Sequence, residues 1–149
     1  MDNNIGESTD SQSALGQVAI PYVTDLRQEI INNTLFYTTK WTSRNMQFAL
    51  ISVPPNSETG LDVHYYSDQF FYVERGDALV IIRSCYDCPN IQSQVHDGYG
   101  IIVPAGMWHN IINIGGSDLK MFSIFAPSLH SYNTVFRTTQ EWFDYYEYD

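Results

Sequence analysis

Basic residues are scarce in this chain: seven Lys and Arg stand against 17 Asp and Glu, giving a formal charge of −10 over 149 residues. A surface that negative repels phosphate backbones and anionic lipid, so neither nucleic acid nor a membrane is an expected partner. Long apolar runs are missing too, and none approaches the ~20 residues that a transmembrane helix needs. The opening MDNNIGESTDSQSALG has neither a basic start nor an apolar stretch. No secretory signal is read there, and the cytosol is the expected address. Cysteine is nearly absent: Cys85 and Cys88 are the only two, set as CxxC within RSCYDCPN. A closed zinc site needs four ligands, and no second pair exists. A structural disulfide is not expected in the cytosol. That leaves a turn between strands that happens to contain cysteines, or a metal shared between two copies of the chain. A Ser/His/Asp arrangement, a phosphate loop and a glycine-rich nucleotide fingerprint are all lacking.

What is present is apolar and aromatic: 44% hydrophobic and 15% aromatic residues, enough for one domain with a real core. Residues 1–16 are polar and aperiodic and read as a disordered tail. From Tyr22 to Asn33 the apolar positions Val23, Leu26, Ile30 and Ile31 fall at helical spacing, with Thr24 placed to cap. The texture then turns to β. LFYTTKW, MQFALISV, GLDVHYY, QFFYVERG, ALVIIR, YGIIVP, HNIINI and LKMFSIFA are short segments bounded by Gly, Pro, Asn or Asp. Such spacing predicts an all-β sandwich or barrel. MQFALISV is apolar on both faces, so one face requires a cover: a second sheet, a helix or another subunit. This predicts a homodimer through residues 32–53. Residues 138–149 read as a short helix or tail, with Thr138 and Glu141 as a capping box.

Two segments carry chemistry, Gly60 to Gly76 and Gly98 to Asn113. Asp62 and His64 are two apart on a strand and share a face. Ser67-Asp68 turns the chain and lets Gln69 start the returning strand on the same side. Pro104-Ala105-Gly106 is a second turn, after which His109 opens a strand. Two imidazoles, a carboxylate and an amide can thus meet at one mouth. Two His and a carboxylate with open positions suit Fe(II), Mn, Ni, Co or Zn.

The second segment resembles the second cupin motif, G-x5-P-x-G-x2-H-x3-N, and matches it from Gly98 to Asn113. The first is similar to the first cupin motif in its latter part. His64 takes the second His place, Gln69 the Glu place and Gly76 the closing Gly. Asp62 stands where the first His belongs, and the opening Gly is replaced by Asn56. TGLDVH, SDQF, VPAGMWHN, SIFAP and His130 resemble one bacterial-type subgroup of small single-domain cupins, often called mannose-6-phosphate isomerase-like. In that subgroup an acidic residue replaces the first His. The resemblance implies a cupin (double-stranded β-helix, jelly-roll) barrel over residues 17–137 with short flanking helices. It also implies one divalent metal ion (Zn, Fe, Mn, Ni or Co) held by Asp62, His64, Gln69 and His109.

The expected function is a metal-dependent enzyme, isomerase-like or dioxygenase-like, acting on a small polar organic molecule. The alternative is a non-catalytic module that binds a small sugar-like molecule. Trp108, Tyr66 and His130 are the candidates for a substrate pocket. Arg75 and Arg83 could bind a phosphate or carboxylate, but the simpler reading of each is a solvated or interface arginine.

Overall fold

The computed structural model describes residues 19–147. The expected tail at 1–16 lies outside the described residues, as do residues 17–18 and 148–149. Helix α1 (Leu26–Asn32) precedes β1 (Tyr37–Thr42), β2 (Gln47–Val53), β3 (Asp62–Val63), β4 (Asp68–Arg75) and β5 (Ala78–Arg83). Then come β6 (Ile91–Val95), β7 (Gly100–Val103), β8 (Trp108–Asn113), β9 (Leu119–Ala126), β10 (Val135–Phe136) and α2 (Thr139–Glu147). The strands pair antiparallel in two sheets, ordered β10-β1-β2-β9-β4-β7 and β3-β8-β5-β6. Among the described residues no ladder joins the two sheets. The expected cupin jelly-roll is thus built from two facing antiparallel sheets.

Alternation along each strand fills the space between the sheets. In β4, Gln69, Phe71 and Val73 are buried while Phe70, Tyr72 and Glu74 sit half-exposed on the outer face. Tyr37, Ile51, Phe71, Met121 and Phe125 of the larger sheet meet Ala78, Val80, Val95 and Ile111 of the smaller one. Each large apolar side chain so placed stabilises the fold by about 1.5–3 kcal/mol. β2 is buried along its whole length because its second face has a cover of its own. Ile30 of α1 packs on Phe48 and Leu50 there, and Lys120 donates to the Asn33 carbonyl at the end of that helix. The chain thus supplies part of the cover that the apolar pattern demands. Beside α1 an apolar groove of about 290 Å³ remains, lined by residues that include Tyr22, Met46, Phe48, Phe122 and Ile124.

Three local expectations change. Asp25, not Thr24, caps α1, because its Oδ1 reaches the Gln28 amide at 3.1 Å. GLDVHYY contributes only the two-residue β3, since its remaining residues turn toward β4. β6 and β10 are strands that the sequence pattern passed over. β6 is exposed at four of its five positions, so it has no apolar alternation to read. At the other end, Thr138 Oγ1 accepts from the Glu141 amide as expected. Glu141 Oε2 turns back to the Arg137 amide, one residue before the position a capping box requires.

Candidate functional site

β3 and β8 build one wall of the site. Their register sets Asp62 opposite His109, which puts the carboxylate and the imidazole on one face. The turn at Gly106, with φ +84°, brings its amide to the His64 carbonyl at 2.8 Å and fixes the segment before His109. Asp68 accepts from the Ala105 amide at 2.8 Å, tying the same turn to the start of β4. Gln69 follows on the inward face.

Asp62, His64, Gln69 and His109 all line one interior cavity of about 20 Å³. That volume has room for one water molecule or one ion. The His64 and His109 rings lie 5.2 Å apart. His64 Nε2 stands 3.6 Å from Asp62 Oδ2, beyond hydrogen-bond distance. Among the described residues, no group of three or more His, Cys, Asp and Glu side chains stands in a ligating arrangement. The fourth donor here is an amide, Gln69, and it is the informative one. Its Nε2 donates to Ser123 Oγ at 2.9 Å, while its Oε1 is buried without a partner. An unsatisfied buried carbonyl costs about 1–3 kcal/mol. A cation or a donor in the cavity would satisfy it, so the donor set fits a metal ion.

Electrostatics agree with that fit. Burial lowers the His64 pKa to about 4. Burial, then the neighbouring His64, lowers His109 to about 4, against smaller upward effects of the Met107 carbonyl and Asp62. Both imidazoles are neutral at pH 7, so the contact between His64 and Asp62 is not an ion pair. His109 Nδ1 lies 3.2 Å from the Met107 carbonyl, which assigns the proton to Nδ1 and leaves Nε2 with its lone pair for a ligand. Burial raises the Asp62 pKa, partly offset by its hydrogen bond from the Val63 amide and by His109.

The three substrate-pocket candidates lie off this cavity. Trp108 points to the opposite side of β8 from His109, by strand alternation, and packs on Tyr86 with ring centroids 5.4 Å apart. Tyr66 is 90% exposed. His130 sits behind the wall, its ring against Tyr37 at 5.3 Å and Trp142 at 5.8 Å, with its backbone held by Gln47. Burial, then His64, lowers its pKa to about 4. Phe36, Tyr37, Ile51, Thr59, Gly60, Phe71 and Trp142 complete the lining. Phe71 shares the parity of Gln69 and was open to reading by alternation; Tyr37 and Thr59 carry no motif. The Trp142 indole donates to the Thr59 carbonyl at 3.0 Å, so α2 forms part of the cavity wall. Tyr37 Oη is buried without a partner, and burial raises the pKa of that hydroxyl far above its ordinary value.

Cys85 and Cys88 are joined as a disulfide, contrary to the expected pair of thiols in a turn. A disulfide leaves no thiolate for a metal shared between chains.

Among the described residues no helix is long and apolar enough to cross a membrane. Residues 49–125 match the cupin domain family. YrkC of Bacillus subtilis is 38% identical over 118 residues, which cover 79% of this chain and 63% of that protein. The match thus spans a little under two thirds of that relative. A Bacillus halodurans protein of known crystal structure is 35% identical, covering 87% of this chain and 98% of that one, with a TM-score of 0.83. A mutant of Bacillus subtilis oxalate decarboxylase is 25% identical, covering 60% of this chain and 23% of its own, with a TM-score of 0.54. The inward Asp62, His64, Gln69 and His109 thus sit on a jelly-roll shared with these proteins, and the chain belongs to the cupin family.

Proposed function

We propose that this cupin holds one divalent metal ion in the cavity between its sheets through Asp62, His64, Gln69 and His109. The observation that carries the reading is the orphaned Gln69 carbonyl, buried in a cavity of about 20 Å³ lined by two neutral imidazoles and one carboxylate. A metal bound there supplies Lewis-acid polarisation of a carbonyl or enediol oxygen, or a site for O₂. The chain's own residues do the rest. Asp62, at 25% side-chain exposure, marks the side from which a small polar molecule would approach. His109 is oriented by the Met107 carbonyl, and Phe71, Phe36 and Trp142 supply the apolar part of the cavity wall. This supports a metal-dependent enzyme of isomerase-like or dioxygenase-like chemistry, in the manner of the mannose-6-phosphate isomerase-like subgroup, with the cytosol as its address.

One observation favours a second reading, a non-catalytic module for a small sugar-like molecule. Among the described residues no general base beyond the proposed metal donors lines the cavity: Asp68 is tied to the Ala105 amide, Tyr66 is 90% exposed and His130 lies behind the wall against Tyr146. Elemental analysis of protein purified without an affinity tag tests the metal, with about one Zn, Fe, Mn, Ni or Co per chain expected. An empty, unresponsive protein after incubation with each ion would end the proposal. Homodimerisation through residues 32–53 is part of the same reading, supported by the apolar groove beside α1. Light scattering should then return about 34 kDa, twice the 17.1 kDa of one chain, and a monomer at micromolar concentration would refute it.

A further inference from the structure

The Cys85–Cys88 disulfide closes the tip of the β5–β6 connection, a part of the fold that the metal reading does not use. It spans a sequence separation of 3. Cross-links over so few residues remove little freedom from the unfolded chain, so they are the least effective staples. The strands beside it need no staple, since β5 is paired along its length with β6 on one side and β8 on the other. Cys85 is exposed and Cys88 half-buried, so the cross-link sits in a turn that faces solvent. What the cross-link does hold is Tyr86, one of the two residues inside the ring. Its side chain is 60% exposed yet lies edge-on to Trp108 at 5.4 Å and beneath the Arg83 guanidinium at 5.5 Å. Arg83 and Trp108 are themselves register partners, and Ile82 and His109 are the next pair along the ladder. The disulfide therefore fixes a stack of Arg83, Tyr86 and Trp108 one residue from a cavity-lining histidine.

We propose that Cys85 and Cys88 form a reversible dithiol–disulfide site open to small thiols, and that its redox state sets the packing of Tyr86 on Trp108. A thiolate of a dithiol reductant attacks Cys85 Sγ, the Sγ–Sγ bond breaks, and Cys88 leaves as a thiolate that takes up a proton. The reductant's second thiol then displaces Cys85 Sγ and closes its own disulfide. Two electrons and two protons pass to the protein for each dithiol oxidised. Opening the ring returns the Tyr86 backbone to the freedom of an ordinary surface loop and releases the Trp108 ring. The inference stands independently of any metal in the cavity.

The test uses the full chain, equilibrated under nitrogen with graded ratios of reduced and oxidised dithiothreitol. Thiols are counted by maleimide mass shift, and tryptophan emission is followed in parallel. Both thiols should appear together and disappear on reoxidation. In native buffer their reduction should run within about tenfold of the rate in guanidinium, as accessibility to the attacking thiol requires. The emission change should track the thiol count. It should vanish in Trp108→Phe, which leaves the other two of the chain's three tryptophans in place, and in Cys85→Ser/Cys88→Ser. Reduction that proceeds only once the chain unfolds would overturn the proposal and leave a structural staple. Free thiols that no disulfide reagent oxidises, or a full titration with no change at Trp108, would overturn it equally.

Discussion

Removing the orphaned carbonyl offers a test whose sign depends on the metal. Gln69 Oε1 is buried without a partner, and its Nε2 shares one hydrogen bond with Ser123. In chelator the orphan costs about 1–3 kcal/mol and the bond to Ser123 returns about 1 kcal/mol. Gln69→Met with Ser123→Ala removes both at nearly constant volume. The double variant should therefore be more stable than wild type in chelator by about 1 kcal/mol, or about 2–4 °C in Tm for a chain of this size. With metal the balance shifts. Wild type at a hundredfold excess of metal over Kd gains about 2.7 kcal/mol. A variant that has lost one ligand and binds about tenfold more weakly gains only about 1.4 kcal/mol at the same concentration. The advantage seen in chelator should vanish or reverse. Differential scanning fluorimetry with and without Mn, Co, Ni or Zn reads both halves. An undiminished metal gain would refute the reasoning, because Gln69 would then not face a cation. A variant less stable than wild type in chelator would show instead that a water in the cavity satisfies the Gln69 carbonyl when no metal is bound.

Asp62→Asn removes the sole anionic donor at the cavity, and calorimetric titration should find metal affinity at least about tenfold weaker, while Asp62→His keeps or raises it. Trp142→Ala should cost about 3–5 kcal/mol in chemical denaturation, since it empties a buried aromatic cluster and removes the tie between α2 and the Thr59 carbonyl. Stability of the chelated protein should fall as pH drops from about 6.5 toward 4. The unfolded chain protonates His64, His109 and His130 in that window while the folded chain, with all three lowered to about 4, does not. Each histidine adds up to about 1.4 kcal/mol per pH unit, so a Tm flat across that range would count against burial of all three.

The sequence alone carried the all-β class, most strands and the convergence of Asp62, His64, Gln69 and His109 on one cavity. Alternation is a local property, and Asp62, His64 and Gln69 show their shared face through spacing and turn chemistry, while Pro104-Ala105-Gly106 announces the approach to His109. Strands without apolar alternation stayed hidden: β6 is solvated along most of its length and reads as loop. Tertiary structure decided the rest. It set the size of the cavity, because Phe71, Tyr37 and Trp142 come from elements far apart in the chain and their packing leaves room for one ion. It turned Trp108 away from the cavity, since the residue adjacent to His109 on a strand points to the opposite face. It left Tyr66 exposed in the bend before β4 and set His130 behind the cavity wall. It also joined Cys85 to Cys88, a pairing that depends on the geometry of one turn and not on composition. Periodicity determines which way a side chain faces; only the packing of distant elements determines what it meets there.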